Sequence, residues 1–244
     1  MLWSALIWPL FVAVTVVTLT LWVVAADYTE TTPVSDLSFF ALGAMIGAGF
    51  ASQVKRDPPA AGVAQAVLAS MALFVSGLVG SRVEPMAGGA LLTAAAVVAA
   101  ILHPQPRGLL HRRVTHSRVE ASLALLGAAA GISYAVMMLT AARGAGPSCF
   151  LGQCVHGDRL AEMAAAALTI PAPAALAAWR VDGWRLPLWS AGIGAVTLGA
   201  RSILLPSVSG SLGVLGGTAA IAWGVLLIER GEHARTRTRK TATR

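Results

Sequence analysis

The chain reads as an all-α integral membrane protein, a bundle of about eight transmembrane helices with both termini cytoplasmic. Three observations predict this. Of its 244 residues, 56% are hydrophobic and only 12% charged, whereas soluble domains carry about 25% charged residues. The apolar residues fall into eight separate runs, each close to the ~20 residues that one helical crossing needs. Basic residues load every second connection between those runs. Backbone groups in hydrocarbon must be satisfied within a helix or a closed barrel. The runs lack two-residue alternation and are rich in Ala, Leu and Gly, which excludes the barrel.

The elements follow in order. Span one is expected at Leu2–Ala26, ending in Asp27-Tyr28-Thr29-Glu30, with no basic residue up to Asp36. A cleaved signal peptide would want a basic n-region and a shorter apolar core, so the first run reads as an uncleaved anchor. Span two, Leu37–Val54, runs into Lys55-Arg56-Asp57-Pro58-Pro59, where the prolines stop the helix. Span three, Ala60–Ser81, turns through Arg82-Val83-Glu84 into span four, whose first turn suits Pro85 and which ends near Leu102. A basic loop follows, with Arg107, Arg112, Arg113 and Arg118 among His103, His111 and His116. Span five is expected at Val119–Ala142, then a connection holding Cys149 and Cys154, then span six at Asp158–Trp179. Arg180 to Arg185 link it to span seven, Leu186–Leu205, and Pro206 to Gly210 turn into span eight, Leu212–Ile228. The membrane domain is thus residues 1–228. Residues 229–244, with Thr and Arg alternating from Arg235 to Arg244, read as a basic disordered cytoplasmic tail.

Lys and Arg near span ends resist translocation and set orientation. With the N-terminus inside, fourteen of the eighteen basic residues stay inside; Arg82, Arg143 and Arg159 fall outside and Arg201 lies within span seven. The opposite orientation would translocate all fourteen. The net charge of +7 therefore points to anionic headgroups at the cytoplasmic face and not to nucleic acid. Sixteen Arg against two Lys is the usage of a GC-rich genome, which associates the chain with a bacterial inner membrane.

Four features bear on function. Gly43 and Gly47, Gly127 and Gly131, and Gly213 and Gly217 are each spaced by four residues. Such spacing lets helices approach closely, within the bundle or against a second copy or a partner membrane subunit. Pro171 and Pro173, near the middle of span six, each remove an intrahelical hydrogen bond. They are expected to kink or open the helix, as a packed bend or as a substrate site of the kind broken helices form in transporters. Thr169, Ser133 and Tyr134 lie at depths that serve either reading. Arg201 and Glu162 sit at matching depths near the outer ends of spans seven and six, which predicts a pair, as a brace or as a functional polar site. Cys149 and Cys154, in a loop on the oxidising side, are expected to form a disulfide, with redox or metal roles as the alternative.

Reaction chemistry is thin. All five histidines lie in connections or the tail, no span carries Lys, and paired acidic motifs for Mg²⁺ are missing. His156 with two cysteines is too small a set for zinc. No metal and no cofactor are expected, and no catalytic residue is assigned; an enzyme ranks third. Two readings stay open. One is a small-solute or lipid-related transporter, or its membrane subunit, with a substrate site at Arg201, Glu162, Pro171, Pro173 and Tyr134. The other is a non-catalytic membrane anchor or scaffold of a larger complex.

Overall fold

The computed structural model describes residues 33–54, 59–103, 118–145, 155–207 and 210–242. Span one, the basic loop after His103 and the segment holding Cys149 and Cys154 lie outside these residues, so the disulfide expectation does too. Among the described residues every regular element is helical. Helix α1 is Pro33–Ala51, followed by a short 3₁₀ turn, Ser52–Val54; α2 is Ala60–Gly80 and α3 Val83–Ile101. Next come α4, Arg118–Gly144, α5, Val155–Thr169, and α6, Pro171–Ala178. Helices α7, Arg185–Leu204, and α8, Gly213–Ala242, complete the order. Five stretches are long and apolar enough to cross a membrane: Ala60–Gly80, Val83–Ile101, Val119–Gly144, Gly157–Ala178 and Gly213–His233. That is the architecture of a multi-pass membrane protein.

Neighbouring helices run in opposite directions, and polar contacts mark the two ends of the bundle. At one end Arg82, between α2 and α3, donates to the Ala142 carbonyl of α4, while Arg143 Nε donates to the Val79 carbonyl at 2.7 Å. At the other end Arg180 pairs with Glu120 at 2.6 Å and Arg185 with Glu232 at 2.8 Å. There too the Ala61 N–H donates to the Asp182 carbonyl at 3.0 Å. Arg82 was expected as a cation of an outer loop. It is instead buried, because its guanidinium lies against Gly157, where any side chain would collide with it. The α2–α3 turn is a Schellman arrangement: Ser81 sits at φ 57°, its N–H donating to Leu78 and that of Arg82 to Gly77.

Helices α5 and α6 form the centre. Of the Gly157–Ala178 span 78% is buried, against 17% for the span in α8, so the alanine run Ala164–Ala167 faces neighbours on all sides. Helices α3, α4 and α8 form the outer wall and present Leu91, Leu125, Leu126 and Leu215 outward. A lipid surface accepts such a wall, since lipid tails are as apolar as leucine.

Glycine decides how closely the helices approach. The sequence spacing singles out Gly213 and Gly217, yet Gly213 stands at φ 69° with nothing near it. The working pairs are Gly192 with Gly224 and Gly199 with Gly217, seven residues apart on each of α7 and α8. A Cβ on Gly224 would lie 2.5 Å from the Gly192 oxygen, and one on Gly217 2.6 Å from the Gly199 oxygen. Gly127 and Gly131 do pack internally, on Trp223 and on the Ala167 carbonyl, whereas Gly43 and Gly47 have no described neighbour within 4 Å.

Beyond residue 228 helix α8 continues to Ala242. No proline interrupts it, and its weakest position, Gly231, is seated on the Leu188 side chain. Glu232, next along, accepts from Arg185 and from Trp189 Nε1 at 3.1 Å. These contacts carry the helix past the apolar segment.

Candidate functional site

Helix α7 brings an arginine into the protein interior. Arg201 is only 4% exposed, three residues before the helix ends. Its Nη2 lies 3.9 Å from Met163 Sδ on α5, and it is close enough to the Tyr134 hydroxyl of α4 to interact electrostatically. Glu162 is half-buried and directly precedes Met163, the side chain that Arg201 contacts. Tyr134 is buried and its hydroxyl donates to the Gly210 carbonyl. Gly210 stands at φ 79°, and a side chain there would strike the Met163 and Met138 thioethers. Glycine is therefore required both for the backbone turn and for the approach.

The connection between α7 and α8 is tied down beside this cluster. The Ser211 hydroxyl donates to the Ser202 carbonyl at 3.1 Å, and the Leu212 N–H donates to Ser202 Oγ at 3.2 Å. The Gly213 N–H donates to Ser211 Oγ at 3.0 Å and starts α8. Each hydroxyl satisfies a group that the helix end would leave open.

The proline break lies inward of Arg201. Pro171 and Pro173 are both buried. The helix is interrupted between Thr169 and Pro171, and Ile170 there keeps φ −61° and ψ −50°. Pro171 has no N–H for the Ala167 carbonyl four residues back. Gly131 of α4 sits against that oxygen, where a Cβ would come within 2.5 Å. A Cα–H contact of this kind offsets part of the loss. Thr169 donates its hydroxyl to the Ala165 carbonyl at 2.7 Å, within its own helix. Ser133 faces outward and bonds the Ala129 carbonyl at 2.8 Å. Neither hydroxyl reaches the Arg201 cluster.

Between α1, α5 and α7 lies a small crevice, lined by Ala41, Ala166, Ile170, Gly194, Thr197, Leu198 and Arg201. It joins the two features that the sequence singled out separately, because Arg201 and Ile170, the residue before the proline break, both line it. Tyr134, Pro171 and Pro173 are not part of the lining. Tyr134 stands behind Arg201, and Pro171 packs toward α4.

Sequence reasoning missed a second polar group. Gln65 of α2 is fully buried; its Nε2 donates to the Met45 carbonyl at 2.8 Å and to Ser190 Oγ at 3.0 Å. Gln53 is buried as well, donating to Ser52 Oγ at 2.9 Å and to the Pro59 carbonyl at 3.1 Å. A glutamine inside an apolar run is visible in the sequence and was the signal to follow. Among the described residues no group of three His, Cys, Asp or Glu could hold a metal. No family model, no curated protein and no solved structure matches the chain.

Proposed function

We propose that the chain is a transporter of a small solute, or the membrane subunit of one. In this reading it spans a bacterial plasma membrane eight times, with both termini and the basic Arg180 end on the cytoplasmic side. The Arg201–Glu162 pair belongs to this proposal as the polar lip of the site. The observation that carries it is the crevice running from buried Arg201 to Ile170 at the proline break. A guanidinium held inside a membrane domain is costly, and such residues mark solute or ion pathways. The crevice is small, so it favours a small solute over a whole lipid. Arg201 makes that solute an anion or a molecule with an acidic group.

A second reading, a non-catalytic anchor or scaffold, draws on the small-residue face at Gly43 and Gly47, which has no described neighbour. Such a face suits a second copy or a partner subunit. Purification of the full chain in mild detergent, followed by native mass spectrometry, separates the two. A chain that retains a small acidic molecule supports the transporter. A stoichiometric partner protein, with no such molecule, supports the scaffold.

A further inference from the structure

One face of α7 carries Ser190, Gly194, Thr197 and Arg201, at steps of four, three and four residues. That spacing puts all four on one side of the helix, over about 16 Å. The opposite side carries Gly192 and Gly199 and is taken by α8. The polar side therefore looks into the bundle, toward α1, α2 and α5.

The stripe is interrupted once. At Gly194 a side chain would collide with Met45 Cε of α1 and would lie 3.3 Å from Ile170 Cγ1. Met45, Ile170 and Ala195 form a buried apolar layer at this level. Toward the Arg82 end of that layer lies the crevice with Thr197 and Arg201. Toward the Arg180 end lies Gln65, bonded to Ser190 and to the carbonyl of the same Met45. The Gln65 Oε1 atom is buried and accepts no hydrogen bond from the described residues, and the same holds for Gln53 Oε1 further toward that end. A buried acceptor without a donor is unfavourable, so the Gln65 and Gln53 oxygens call for an explanation beyond tethering helices.

We propose that the α7 face is the wall of a transport route for a small anion that carries its own O–H or N–H donor. Arg201 and Thr197 form the outer station, and Gln65 with Ser190 the inner one. Met45 and Ile170, meeting over Gly194, are the gate between them. Gly194 leaves room for the two side chains to close, and methionine, unbranched and flexible, is suited to swing aside. Ile170 stands one residue before Pro171, where the missing hydrogen bond gives the helix a place to shift. The inference rests on the transporter reading and adds the gate and the second station.

Cysteine accessibility in the full chain tests it. Thr197→Cys and Ser190→Cys are made singly in a Cys149→Ser, Cys154→Ser background and exposed, in sealed vesicles, to a membrane-impermeant maleimide on the Arg82 side. The expected result is labelling of Thr197→Cys and protection of Ser190→Cys. Adding Met45→Ala, or independently Ile170→Ala, should raise labelling of Ser190→Cys from that side by about tenfold or more, while Met45→Leu should not. Thr197→Cys labelled, with Ser190→Cys still protected in both alanine variants, overturns the gate and leaves the crevice standing. Thr197→Cys unreactive in a chain that elutes as a single species overturns the solvent-reached crevice, and with it the transporter reading.

Discussion

Arg201 and Tyr134 separate a brace from a site. If Arg201 served only to hold α5 and α7 together, Arg201→Lys would keep most of its value, since the charge is retained at similar length. In a site that recognises an acidic group, the guanidinium fork is what matters, and lysine does not replace it. The expected outcome is a folded Arg201→Lys protein that has lost at least about tenfold in affinity for small anions, the loss of one charge-assisted contact. Ligand-dependent thermal shift in detergent measures it; unchanged binding in Arg201→Lys returns the residue to a structural role. Tyr134 is the contrasting case. Its hydroxyl bonds the Gly210 carbonyl, so Tyr134→Phe should lower stability by about 0.5–1.5 kcal/mol without abolishing binding. Arg201 and Tyr134 were legible in the sequence, because a charge or a tyrosine inside an apolar run stands out by type. Gln65 and Gln53 were equally visible but uncharged, and only the fold shows that they are buried with acceptors to spare.

Two structural lessons sit at the level of the helix. Glycine spacing of four residues identified α4's Gly127 and Gly131 but passed over the seven-residue pairs that seat α7 on α8. Antiparallel neighbours that lie along one another meet every second turn, so the informative period was seven on both helices at once, which no single-helix motif displays. Gly199→Leu should therefore cost about 1–3 kcal/mol, the range for overpacking, whereas Gly43→Ala should stay within about 0.5 kcal/mol. Melting temperatures of the purified variants compare them; equal losses would contradict the α7–α8 contact. The prolines teach the reverse. Their removal of hydrogen bonds follows from covalent structure, but how the helix responds depends on what packs there. Gly131 covers the Ala167 carbonyl, and Ile170 keeps helical dihedral angles. The Arg185–Glu232 and Gly231–Leu188 contacts that hold α8 past its apolar segment come from distant parts of the chain, which no local pattern displays.

For the molecule as a whole, composition and run length alone specify a multi-pass helical protein. Arg180, Arg185 and Arg230 fall toward one end of the bundle and Arg82, Arg143 and Arg159 toward the other. What composition does not encode is which helix becomes the centre. That role falls to the alanine-rich α5–α6 pair, because small side chains let every neighbour close in, and Arg201 then lies beside it. The inside-positive arrangement predicts that alkaline phosphatase fused after Arg244 stays inactive in a bacterial host, while the same enzyme fused after Gly144 is active; the reverse pattern would invert the assigned orientation. The central claim is that the crevice between α1, α5 and α7 passes a small acidic solute. Uptake into proteoliposomes containing only this chain tests it most directly, with radiolabelled lactate, glycine and inorganic phosphate as probes. The account predicts accumulation of at least one probe above empty liposomes, lost in Arg201→Gln and in Gly194→Leu. Uptake by neither the native chain nor its variants, or uptake that Arg201→Gln leaves unchanged, would contradict it.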